Sequence, residues 1–146
     1  TYEGKCAILL EQAATRGKLA GKRPAKMSFD YKWENGKIVF SARNILLSLL
    51  SSEDIEASAL GFHNAVAEMI VKGCKEISGR EEFSRGESIR NVALSGGVFQ
   101  NRLLFEEAVR GLEEAGFKVY TNRLVPPNDA GIALGQAYIA LMKEGE

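Results

Sequence analysis

Two short stretches carry residues whose types and spacing could do chemistry. In VALSGGVFQNRLL, residues 92–104, an apolar run breaks at Gly96-Gly97 and restarts as a helical pattern after the polar, uncharged Gln100 and Asn101. Glycine has no Cβ, so a backbone leaving a strand can turn sharply there and let a ligand lie against its N–H groups. The helix behind would aim its unpaired N–H groups and positive dipole end at an anion held in that turn. The same glycines would serve equally well in a tight turn that binds nothing. In VPPNDAGIALGQA, residues 125–137, Pro126 and Pro127 hold the approach extended, because each fixes its own φ and Pro127 keeps Pro126 out of the helical region. Asn128 or Asp129 can then cap the final helix. For Asp129 two readings stand side by side: an N-cap, or a carboxylate at a strand's exit, beside the glycine loop and available to a metal ion.

The elements that must position these stretches follow from periodicity. Residues 3–16 place Ala7, Leu10 and Ala14 on one helical face with Cys6, Leu9 and Ala13 beside them, and GKLAGKRP ends the pattern in a basic loop, Lys18 to Lys26. That loop is either a solvated surface or a partner surface. Two alternating apolar runs flank Asn35-Gly36, the pair best suited to the positive φ angles of a type I′ hairpin turn. A short apolar helix is predicted from Ile45 to Leu50. Ser51 or Ser52 then caps a long helix, with Glu53 and Asp54 in its first turn. Ile55, Ala59, Phe62, Val66, Met69, Ile70, Gly73 and Ile77 form that helix's buried face. His63 lies at the margin of the face, as a packed structural histidine or as a ligand. Residues 79–90 read as a charged surface loop. Beyond it come the strand NVALS, a helix from about 101 to 115, the strand FKVYT, a proline loop and a helix from about 130 to 143, whose Ile132, Leu134 and Ala137 supply apolar contacts. This order predicts a βαβ unit with parallel strands inside one α/β lobe, the hairpin feeding a mixed sheet.

The bulk composition narrows the function. A chain of 146 residues at 45% hydrophobic composition can bury the core of a single domain. Lys plus Arg and Asp plus Glu number 19 each, so no overall field draws the chain to nucleic acid or to anionic lipid, and any anion must be held locally. Cys6 and Cys74 lie far apart without metal-site spacing, which suits a reducing cytoplasm. No apolar stretch reaches the ~18 residues of a membrane span, and no signal peptide is visible. The sequence starts at Thr1 and enters a helical pattern almost at once, so it reads as a piece of something longer.

The pairing of ALSGGVFQNRLL with VPPNDAGIALGQA closely resembles the carboxyl end of the HypF carbamoyltransferases of nickel–iron hydrogenase maturation, and TYEGKCAILLE resembles the start of that family's last subdomain. The lobe is similar, more distantly, to the tRNA threonylcarbamoyl-transferase family. The resemblance implies the second lobe of an actin/hexokinase-like (ribonuclease H-like) fold, with nucleotide held between two lobes. It implies that Gly96 and Gly97 approach the nucleotide, ATP or carbamoyl adenylate, and that Asn101 hydrogen-bonds it, as a donor and acceptor suited to ribose or a carbamoyl oxygen. Glu3 and Gly4 would border the ribose. Asp129 would complete a divalent metal site, zinc or iron, whose histidines lie outside this chain, since His63 is its only histidine. The family usually has a second glycine where Ala130 stands, which gives the turn beside Asp129 less backbone freedom. The resemblance further implies a missing N-terminal lobe and other domains, carbamoyl phosphate and ATP as substrates, and a partner, HypE, carbamoylated on a C-terminal cysteine. The alternatives are a tRNA threonylcarbamoyl transferase-like lobe, which the VFQN and PPND wording and the lack of a basic stripe disfavour, and a nucleotide-binding module without chemistry.

Overall fold

The structure, a computed structural model, describes residue 2, residues 4–80 and residues 89–144. Glu3 and most of the expected loop 79–90 lie outside the described residues. The order is α1 (Lys5–Leu19), β1 (Asp30–Glu34), β2 (Lys37–Ser41), α2 (Arg43–Leu50), α3 (Ile55–Ser78), β3 (Asn91–Leu94), α4 (Arg102–Glu114), β4 (Lys118–Thr121) and α5 (Ile132–Glu144), with short 3-10 turns at Gly97–Gln100 and Asp129–Gly131.

Helix α1 runs one turn beyond its predicted end because Gly17 is a contact rather than a breaker. A Cβ there would lie 3.0 Å from both Glu56 O and Leu60 Cδ1, so the bare backbone lets α1 close on α3. The helix ends instead in a Schellman motif, Lys22 N–H donating to Gly17 O at 2.9 Å and Gly21 N–H to Lys18 O at 3.1 Å. Where the two helices cross, Ala13, Ala14, Ala59 and Leu60 are buried with Leu103 of α4. Helix α3 is capped by Asp54 and not by Ser51 or Ser52. The Asp54 carboxylate accepts from Glu56 N at 3.1 Å and Ala57 N at 3.0 Å, and Lys22 Nζ meets it at 2.9 Å. A carboxylate satisfies two orphan donors and gains from the helix dipole, which a serine hydroxyl cannot match. The Ala57 N–H and the Lys22 ammonium hold its pKa below the ordinary carboxylate value.

The main core lies between α3, α4 and the parallel pair β3–β4, and comprises Ala67, Leu94, Leu104, Ala108, Leu112 and Phe117. The α/β class and the βαβ order are as predicted. The single mixed sheet is not: the hairpin β1–β2 and the pair β3–β4 are separate two-stranded sheets. The physical reason is that the hairpin's aromatic side chains dock on the C-terminal half of α3. Phe40 carbons fill the space beside Gly73, at 3.5 Å from where a Cβ would stand. Tyr31 Oη and Trp33 Nε1 donate to the Glu76 carboxylate at 3.0 and 3.2 Å, and Lys72 Nζ meets it at 2.8 Å. Asn35 (φ 51) and Gly36 (φ 71) form the expected turn.

Helix α5 departs from expectation. Ile132 and Leu134 were expected to supply apolar contacts, yet they are 56% and 58% exposed, and Ala137 is exposed with them. From Ile132 to Met142 the helix carries no charged residue, and the described residues offer it no covering face. A helix apolar on all sides is normally a buried one.

The hairpin anchor makes a testable link to pH. The Lys72 ammonium, with the Trp33 and Tyr31 donors, pushes the Glu76 pKa from 4.5 down to about 2. Because the folded value is the lower one, the anchor is fully present above pH 4.5 and is lost as pH falls toward about 2. Trp33, the chain's single tryptophan, reports on it. Its emission should change within that window and the step should vanish in Glu76→Gln; an acid step unaltered by that substitution would refute the anchor.

Candidate functional site

The two motif loops meet. Leaving β3, the chain passes exposed Ser95 and reaches Gly96 at φ 108, ψ 154, a conformation essentially restricted to glycine. Its N–H donates to Pro127 O at 2.7 Å, joining the glycine loop to the proline loop. One residue on, a Cβ built at Gly97 would lie 3.8 Å from Asn128 Cβ, so the loops are also in van der Waals range. No heavy atom lies within 4 Å of a Cβ built at Gly96, which leaves its α-carbon facing open space. Among the described residues, nothing accepts a hydrogen bond from the N–H of Gly97 or Val98. Two successive free donors on an exposed glycine turn can receive anionic or carbonyl oxygens.

The helix end behind this turn is not the anion site the sequence suggested. The 3-10 turn Gly97–Gln100 stands between Gly96 and α4, whose first N–H groups already have partners. Arg102 N–H donates to Glu11 Oε1 of α1 at 2.7 Å, and Leu104 N–H to Asn101 Oδ1 at 2.9 Å. A carboxylate of the chain itself fills the position a phosphate would take. The Arg102 side chain is paired with Glu106 at 2.7 Å, which holds the guanidinium pKa above its ordinary value.

Asn101 is half-buried at this junction and doubly engaged, its Nδ2 also donating to His63 Nε2 at 2.9 Å. One N–H and one oxygen lone pair remain to it. In the proline loop, Asn128 caps the 3-10 turn that leads into α5: its Oδ1 accepts from Ala130 N at 3.1 Å. The N-cap reading of Asp129 therefore falls to its neighbour. Asp129 is exposed, and no described residue hydrogen-bonds its carboxylate. Ala130 sits without a positive φ, so alanine there costs no strain. Gly131 is the position that needs glycine, with Pro126 O at 3.0 Å from a would-be Cβ.

Gly4 opens α1 at φ 77 and is exposed; no contact joins it to the glycine loop among the described residues. Nor does any group of three His, Cys, Asp or Glu able to hold a metal occur among them. A groove of about 610 Å³ between α3 and α4 lies elsewhere, and its Glu107, Arg110 and Glu114 are spent on one another.

The model of the family described as "Carbamoyltransferase, Kae1-like Domain, second subdomain" matches residues 1–136. The chain belongs to the HypF carbamoyltransferase family. It is 42% identical over 137 residues to a carbamoyltransferase HypF of Rhizobium leguminosarum, and 27% identical over 138 residues to one of Synechocystis, covering 92% and 93% of this chain. It spans 16% of the length of each of these relatives. The fold matches a crystal structure of full-length HypF in its phosphate- and nucleotide-bound form, with a TM-score of 0.76 and 30% identity over 95% of this chain and 17% of that one. A HypF of T. kodakarensis matches at a TM-score of 0.66, 28% identity, 99% of this chain and 18% of that one. The chain thus shares the Kae1-like fold of these neighbours.

His63, 2% exposed, is packed as the structural one of its two readings has it, and with Glu11, which carried no signal in the sequence, it braces the start of α4 from α3 and α1. Nothing in the local pattern links either residue to the start of α4; only the three-dimensional crossing of the helices does.

The Gly96 conformation can be tested without any ligand. Gly96→Ala should lose about 1 to 3 kcal/mol of stability in urea unfolding, from backbone strain alone, since the added methyl meets no neighbour. Gly97→Ala, at an ordinary contact distance, should lose much less. Equal losses at the two positions would contradict the loop geometry.

Proposed function

We propose that this chain is the second lobe of a two-lobed HypF carbamoyltransferase domain, and that its joined glycine and proline loops form one wall of the nucleotide site. The observation that carries this reading is the Gly96 N–H bond to Pro127 O, which joins the turn carrying the free donors of Gly97 and Val98 to the loop carrying the exposed Asp129. Support also comes from the similar full-length HypF, whose structure is a phosphate- and nucleotide-bound form.

In this reading the N–H groups of Gly97 and Val98 meet oxygens on the phosphate side of ATP or carbamoyl adenylate, while the spare N–H and lone pair of Asn101 meet the ribose or the carbamoyl oxygen. Glu3 and Gly4 border the ribose. Asp129 is an exposed hard-oxygen donor that no cap consumes, which fits one ligand of a divalent zinc or iron ion completed by histidines of the first lobe. When bound, that ion would neutralise developing charge on the transferred group. The whole enzyme would use carbamoyl phosphate and ATP to make carbamoyl adenylate and pass the carbamoyl group to a C-terminal cysteine of HypE. The unpaired cysteines Cys6 and Cys74 suit a reducing cytoplasm, and no described helix is long and apolar enough to cross a membrane.

One wall of a cleft offers few contacts against the entropy lost on binding, so the 146-residue chain should bind ATP no better than roughly millimolar and show no carbamoyl-phosphate-dependent ATP cleavage. A micromolar constant by calorimetry would contradict the half-site. In the full enzyme, Asp129→Asn should keep a near-normal melting temperature, because Asn128 is the cap. Metal occupancy by elemental analysis and carbamoylation of the partner cysteine should each fall by roughly tenfold or more. An Asn variant that keeps both would remove Asp129 from the site.

A further inference from the structure

One buried titratable side chain is left unused by the reading above. His63 is 2% exposed, on the face of α3 that packs toward the start of α4, with the Phe62 ring 5.9 Å from its own. A buried imidazole is costly unless both nitrogens are satisfied, and here both are. Nδ1 lies 2.7 Å from Ala59 O, and Nε2 lies 2.9 Å from Asn101 Nδ2.

The donors in this chain of bonds can run in only one direction. Leu104 N–H can only donate, so the Asn101 atom facing it at 2.9 Å must be Oδ1, and Nδ2 must face the histidine. Nδ2 can only donate, so Nε2 of His63 must be bare. At the other end, a carbonyl oxygen can only accept, so Nδ1 must carry the proton. The two ends agree on a neutral, Nδ1-protonated ring. The arrangement ties a carbonyl of α3 through the histidine to the residue that both ends the glycine loop and caps α4. An apolar side chain of similar bulk would fill the same space but offer Asn101 no acceptor.

We infer that His63 is a positioning residue of the nucleotide site. Its Nε2 fixes which way the Asn101 amide faces, and so which N–H and which lone pair are presented to a ligand. The inference rests on the nucleotide reading of Asn101 and adds to it a residue that touches no ligand.

The test is a double-mutant cycle in the full carbamoyltransferase carrying this lobe, with ATP affinity read by calorimetry. His63→Leu should weaken ATP by roughly three- to tenfold, the worth of one hydrogen bond, and His63→Gln, which restores an acceptor, should recover most of that. In an Asn101→Ala background His63→Leu should cost nothing further. If it costs as much there as in the wild type, His63 is only a core residue and the inference fails. If Asn101→Ala weakens ATP but His63→Leu does not, the positioning role alone fails. If Asn101→Ala leaves ATP affinity unchanged, the nucleotide reading of Asn101 fails and takes the inference with it. A second measurement does not depend on any variant folding. His63 is the chain's only histidine, so ¹⁵N spectra of the labelled 146-residue chain give one imidazole. A proton on Nδ1 at neutral pH is expected, and a proton on Nε2 instead would overturn the assignment.

Discussion

The 2.7 Å hydrogen bond from Gly96 N–H to Pro127 O is the constraint on which the rest of the site depends. It joins two loops that leave different strands of one parallel pair, β3 and β4, and it holds Gly96 in a conformation that costs other residues about 1 to 3 kcal/mol. With that bond made, Gly97 faces Asn128, and the glycine turn with its free donors is tied to the loop that carries Asp129. Without it only the pairing of β3 with β4 would hold the two strand exits near each other. The prolines contribute by stiffness: Pro127 has no N–H to pair, a fixed φ, and a carbonyl already aimed at the glycine turn.

A second constraint acts from behind. The start of α4 is held by Glu11 from α1 and by Asn101, which is held in turn by His63 from α3. The helix dipole is therefore spent inside the fold, and any ligand must be met by the turn itself. This differs from a loop that hands a phosphate to a helix end, and it leaves a ligand few, directional polar atoms to meet. Neutral donors beside a single carboxylate suit a ligand whose charge is balanced partly by groups supplied from elsewhere. The apolar surface of α5 has no covering face among the described residues, and the chain spans 16% of the length of its Rhizobium leguminosarum and Synechocystis relatives.

Local chemistry was legible where one or two residues dictate the backbone. Asn35-Gly36 announced the hairpin turn, and the glycine and proline loops were readable as the exits of strands because no other residues turn a chain in that way. What could not be read is what depends on partners distant in sequence. Asp54 displaced the serines as the cap of α3 because its carboxylate takes two N–H groups of the helix and pairs with Lys22 of the basic loop. Gly17 looked like a helix end and is a helix contact, since only the approach of Glu56 and Leu60 gives its missing Cβ a purpose. The hairpin was expected in the main sheet, but aromatic docking around Glu76 placed it on α3. Glu11 carried no signal and His63 no partner for the same reason: a polar residue on a helix face names its partner only once the helices have crossed.

The central claim, that the two joined loops are one nucleotide-facing surface, is tested most directly by amide NMR of the ¹⁵N-labelled chain titrated with ATP at millimolar concentration. Shifts concentrated at Ser95–Asn101 and Asn128–Gly131, with both loops titrating together, are the predicted result. Shifts confined to the groove between α3 and α4, or confined to only one of the two loops, would contradict it.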